Sequence, residues 1–159
     1  MNMNPHFDRH ITDEQAREAY ERLWQDRSDK LLNAVPDYMH GGFYRWVVWG
    51  IYPDDFLTAV ISNNLMRAVL AADDDNQRAL VDWARLFYNA APCGCFGSTK
   101  RLDEWHKAGG LFGRCEVCQT HLGIPGNPQS SSSVIDGVSR GICTACATEQ
   151  TQPSQTQEA

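Results

Sequence analysis

Four cysteines impose the strongest constraint on this chain. The segment GRCEVCQT carries Cys115 and Cys118, and after 24 intervening residues GICTACAT carries Cys143 and Cys146. A CxxC turn sets two sulfurs on one side of a tight knuckle. Two knuckles joined by a hairpin therefore offer a tetrahedron of thiolates at the ~2.3 Å that zinc prefers. In a reducing compartment such pairs are metal ligands more often than disulfides. An iron site can use the same ligands, but zinc is the commoner occupant of structural sites. Four thiolates close the coordination shell and leave no position for water, so one structural zinc ion is expected rather than a hydrolytic one. Residues 111–147 are too few to bury a core, and metal binding is how a segment of that size folds. The spacing is slightly wide for a zinc ribbon, and the loop PQSSSS from Pro128 to Ser133 supplies the excess before a hairpin-like VIDGV from Val134 to Val138.

The remainder of the 159 residues suits one apolar domain with an appendage. The expected organisation is a mainly α domain over residues 8–110, a small bundle of four or five helices. A four-cysteine zinc ribbon over 111–147 and a disordered acidic tail over 148–159 follow it. No leader-like start and no uncharged apolar run of ~18 residues stands in the sequence, so a soluble cytoplasmic protein is expected. The net charge of −6 divides as −4 over residues 1–110, 0 over 111–147 and −2 over 148–159. An acidic body and a neutral appendage disfavour broad nucleic-acid affinity, which draws on Lys and Arg at phosphates.

The helices are announced by their starts. Thr12 with Gln15 forms a capping-box pattern, with Ile11 ahead of it as a staple, and Ala16, Ala19, Tyr20, Leu23, Trp24, Leu31, Leu32 and Val35 recur at helical spacing up to Pro36. One helix of about six turns is predicted there. PDYMHGG reads as a breaker, and FYRWVVWGIY, from Phe43 to Tyr52, is too short for periodicity to choose between helix and strand. Pro53 with Asp54 or Asp55 opens a second long helix, whose inward stripe is Phe56, Leu57, Val60, Ile61, Leu65, Ala68 and Val69. Asp73, Asp74 and Asp75 introduce a third, carrying Leu80, Trp83, Ala84, Phe87 and Tyr88. Ser98 caps a short last helix that holds Leu102 and Trp105 and stops at Gly109 and Gly110.

Several residues outside the four-cysteine set admit two readings. Asn63 and Asn64 are poor helix formers inside a predicted helix; they satisfy a buried hydrogen bond, or they form a polar groove floor with Asp73 and Asn76. Trp46 and Trp49, within the aromatic run, are core or a partner contact. Cys93 and Cys95 are loop thiols, or a second ligand or redox pair, and His121 packs on a hairpin or substitutes as a ligand. The run Asp73 to Asp75 lacks the alternating oxygen ligands of a calcium loop, and helix capping is the better account of it.

Two stretches carry resemblances. VSRGICTAC resembles the SHGIC pattern, followed by two residues and a cysteine, of small bacterial zinc-ribbon segments; Arg140 stands where those have histidine. GIYPDDFLTAVISNNLMRAVLAADDDNQRAL, followed by FYNAAP and FGS, is similar to small phage- and prophage-encoded proteins of unassigned function. Pro53, Phe56, Leu57, Ala59, Val60, Asn63, Asn64, Leu65, Ala72, Asp73 and Asn76 carry that likeness, with Asn64 in place of the usual aspartate. The resemblance implies a mobile-element origin and no activity. No nucleophile, base and orienter stand in a known pattern, and no phosphate-cradling glycine loop is present. The expected function is therefore that of a non-enzymatic binding protein. It would inhibit or redirect a bacterial host protein or complex, in anti-defence (anti-CRISPR, for example) or in modulating transcription. The alternatives are a nucleic-acid-binding regulator using Arg114 and Arg140 of the ribbon, and a small-ligand protein using Asn63, Asn64 and Asp73.

Overall fold

The computed structural model describes residues 11–23, 29–111 and 113, together with the backbone of 129–135 and 138–143. The protein is mainly helical. Among the described residues eight α-helices, rather than the expected four or five, follow one another: α1 (Asp13–Leu23), α2 (Asp29–Leu32), α3 (His40–Trp49), α4 (Asp55–Ile61), α5 (Leu65–Ala71), α6 (Asp74–Arg78), α7 (Leu80–Ala90) and α8 (Thr99–Ala108). Among the described residues no helix is long and apolar enough to cross a membrane.

The capping box forms as expected: the Thr12 amide donates to Gln15 Oε1 at 3.0 Å and the Gln15 amide to Thr12 Oγ1 at 3.2 Å. Two orphan donors at the start of α1 are thereby satisfied reciprocally. The predicted six-turn helix ends early, because α2 stops at Leu32 and the chain turns at Asn33 and Ala34. HGG is no breaker: it is the first turn of α3. Gly41 lies directly beside the Asp13 carboxylate, which pairs with Arg45 across the α1–α3 contact.

The ambiguous aromatic run is α3, and it is buried on nearly every side, as a helix apolar all round must be. Phe43 meets Tyr20 of α1 at 5.5 Å between ring centres and Phe87 of α7 at 5.2 Å, both edge-on. Two indoles find acceptors in backbone. Trp46 Nε1 donates to the Cys95 carbonyl at 2.8 Å, and Trp105 Nε1 donates to the Trp46 carbonyl at 2.9 Å. These two bonds tie α3 to the 3-10 turn at Cys93–Cys95 and to α8. Gly50 and Gly110, at φ +66° and +67°, let the ends of α3 and α8 touch backbone to backbone, closed by the Leu111 amide donating to the Val47 carbonyl at 3.2 Å.

The second and third predicted helices are each broken. Ser62 to Asn64 divide α4 from α5, and Ala79 divides α6 from α7. The stripe on α7 is Trp83, Leu86, Phe87 and Ala90, while Ala84 and Tyr88, expected inside, are exposed. Ser98 caps α8 and Gly109 ends it, as expected. Two strands, β1 (Gln129–Ile135) and β2 (Val138–Cys143), pair antiparallel, with Ile135 opposite Val138 and an irregularity between Gln129 and Ser131. The expected tail, 148–159, lies outside the described residues.

Candidate functional site

The break between α4 and α5 builds the most exposed apolar surface on the helical body. Asn63 adopts φ +63°, a left-handed conformation that asparagine tolerates better than most residues. Its amide donates to the Val60 carbonyl at 3.0 Å and that of Asn64 to the Ala59 carbonyl at 2.9 Å, closing α4. Asn64 then caps α5, its side-chain oxygen accepting from the Arg67 amide at 3.1 Å. The two amides therefore end one helix and start the next. Both are exposed, so neither the buried hydrogen bond nor the groove floor describes them.

The new direction turns α5 outward. Ala68 is its one buried residue. Leu65, Met66, Val69 and Leu70 are 64, 72, 41 and 83% exposed, although Leu65 and Val69 were expected in the inward stripe. Four large apolar residues on one short helix form a patch of the kind that marks an interaction surface. An ion pair between Arg67 and Asp55, 3.5 Å apart and exposed on both sides, links α5 to the start of α4 and contributes little.

Beyond the far end of α5, Asp73 caps α6. Its Oδ1 accepts from the Asn76 amide at 2.8 Å and its Oδ2 from the Tyr38 hydroxyl at 2.7 Å. These bonds, the Asn76 amide first, hold the Asp73 carboxyl below its ordinary range. The same bond to Asp73 raises Tyr38 to about 12. Asn76 is buried and bonded at both ends of its amide: its Oδ1 accepts from Trp83 Nε1 at 2.9 Å and its Nδ2 donates to the Tyr38 hydroxyl at 3.5 Å. Asn63 and Asn64 precede α5 and Asp73 follows it, about 10 Å away by the rise of seven residues, so these residues do not line one groove.

Beside Tyr38 lies an open cleft of about 630 Å³, bordered by Asp37, Tyr38, His40, Asp75, Arg78 and Asp82. His40 Nε2 donates to the carbonyls of Leu32 and Val35, at 2.9 and 3.2 Å, and so shapes the floor of the turn rather than facing a ligand. Arg78 pairs with Asp75 at 3.2 Å. This cleft has no local signature among the residues, because its walls come from the 33–40 turn and from α6 and α7, far apart in the chain.

Trp46 and Trp49, entertained as partner contacts, are core residues. Cys95 is buried, which pushes its thiol above the ordinary range, and Cys93 is exposed; neither is in a disulfide. A reactive redox pair needs a lowered, accessible thiol, which Cys95 is not. Among the described residues no group of three or more His, Cys, Asp or Glu side chains could hold a metal ion. Cys115, Cys118, Cys146, Arg114 and His121 lie outside the described residues, and Arg140 and Cys143 are described only as backbone of β2.

No protein-family model, no curated protein and no solved structure matches this chain.

Proposed function

We propose that this chain is a non-enzymatic binding protein whose α5 contacts another protein. The observation that carries the reading is the exposure of Leu65, Met66, Val69 and Leu70 on a helix whose one buried residue is Ala68. Such residues cost solubility where they stand, and burial in an interface recovers about 1.5–3 kcal/mol for each one fully covered. The phage-like character of residues 50–80 supports a bacterial host protein or complex as the target, inhibited or redirected by occupation of a surface it uses. Anti-defence and transcription modulation are the two roles in view, and the bacterial cytoplasm is the compartment. The acidic body supports competition for a site that otherwise receives nucleic acid.

Cys115, Cys118, Cys143 and Cys146 are proposed to hold one structural zinc ion. The donor set supports it, as does the end of β2 on Cys143, where a second knuckle would begin. The test of the binding reading is affinity capture from bacterial lysate with wild-type chain beside the double variant Leu65→Asp, Leu70→Asp. A protein retained by the first and lost from the second is the expected result. Nothing retained above background by the wild type would sink the reading.

A second reading, a small-ligand protein, has the Tyr38 cleft in its favour, though not the asparagines first suspected. Thermal-shift screening with nucleotides, polyamines and amino acids checks it, a raised midpoint being the expected sign.

A further inference from the structure

The four outward residues of α5 occupy an arc of about 140° at 100° per residue, with Ala68 on the other side. No charge interrupts that arc; Arg67 falls on its flank and turns to Asp55. The end of α5 is different. After Ala72 come Asp73, Asp74 and Asp75, all exposed, with Arg78 the nearest cation in sequence and already paired with Asp75. The surface is thus apolar along the helix and anionic just beyond its C-terminal end.

We propose that α5 docks into an apolar groove of a partner protein whose rim carries Lys or Arg at the end receiving Asp73 to Asp75. This rests on the protein-binding reading above and specifies the chemistry of the partner's side. Helix-in-groove recognition uses apolar anchors spaced along one helix face, which Leu65 and Val69, and Met66 and Leu70, provide at i and i+4. A second copy of this chain suits the surface poorly on two grounds. Its net charge of −6 sets like against like, and the cations of α5 and α6 themselves, Arg67 and Arg78, are already paired with Asp55 and Asp75. The shape is also wrong. Two convex helices of seven residues, about 10 Å long, share on the order of 200 Å², against about 800 Å² on each side of a stable interface. A concave partner reaches further, over both sides of α5 and onto the acidic end.

The experiment places a photo-crosslinking phenylalanine analogue at Leu70 of the full chain, and at exposed Glu18 of α1 as control, in bacterial cells, and maps the linked peptides by mass spectrometry. The protein identified is then purified, and its association with wild type, Leu70→Asp and the pair Asp74→Asn, Asp75→Asn is timed at low and high salt. Expected are links from position 70 alone, into an apolar groove with Lys or Arg at one end. Leu70→Asp is expected to weaken binding at least thirtyfold, roughly the hot-spot range. The neutralised pair is expected to associate several-fold more slowly at low salt only. Circular dichroism confirms that each variant is folded. A partner recovered whose binding Leu70→Asp leaves unchanged, or whose groove is rimmed by carboxylates, overturns this inference and spares the binding reading. Links only to a second copy overturn it in favour of self-association. No protein linked from either position and none captured overturns both.

Discussion

Asn63 and Asn64 sit side by side and do different work. Asn63 bears the positive φ of the α4–α5 corner, and Asn64 supplies the cap of the next helix. Asn63→Gly should leave stability unchanged or raise it slightly, whereas Asn63→Val should cost about 1–3 kcal/mol in chemical denaturation, because a β-branched residue resists that conformation. Equal effects of the two would show that the corner is not strained. Tyr38 and Asp73 make the second residue-scale prediction. The pKa of Tyr38 is raised from 10.0 to about 12, so its neutral, hydrogen-bonded form stabilises the fold fully below pH 10, and that contribution is lost as pH rises through about 12. The pKa of Asp73 is lowered from 3.8, so its contribution is present above that value and lost as pH falls through the lowered one. In absorbance titration, Asp73→Ala should bring one tyrosine back toward 10; an unaltered curve would separate the two groups.

At the scale of elements, the joint between α3 and α8 is the least tolerant place. A Cβ on Gly110 would stand 2.5 Å from the Val48 carbonyl oxygen, and the residue has φ +67°. Gly110→Ala should therefore lower stability by more than about 2 kcal/mol, with a clear fall in the thermal midpoint. Little change would mean that the two helix ends part without loss. Helix starts were legible in the sequence because caps are local: Thr12 with Gln15, Asp54, Asp73 and Ser98 all cap as their spacing implies. Helix breaks were not. Leu65 and Val69 continue the i, i+4 row of Leu57 and Ile61, and that unbroken row masks the turn that the poor helix formers Asn63 and Asn64 make. The identity of α3 was hidden for the opposite reason: a helix buried all round has no polar face to show a period. The apolar surface of α5 was consequently misassigned to the core, and the Tyr38 cleft, formed from distant segments, left no trace.

For the molecule as a whole, the core formed by the described residues lies within residues 11–111. The proposed zinc site should then be separable from it. Purified chain should carry about one zinc per molecule by elemental analysis, and a chelator or Cys115→Ser with Cys118→Ser should remove it while the far-UV helical signal stays. Metal absent from protein prepared without chelator would exclude the site; helix lost with the metal would show that the body depends on it. Within that body, Ala68 is the one residue that α5 buries, and Met66 and Leu70, 72 and 83% exposed, add little to the fold. On the binding reading proposed above, such positions can change with the target at small cost in stability. The proposed recognition would then be rewritten by changing a few codons of α5, with the rest of the gene held constant.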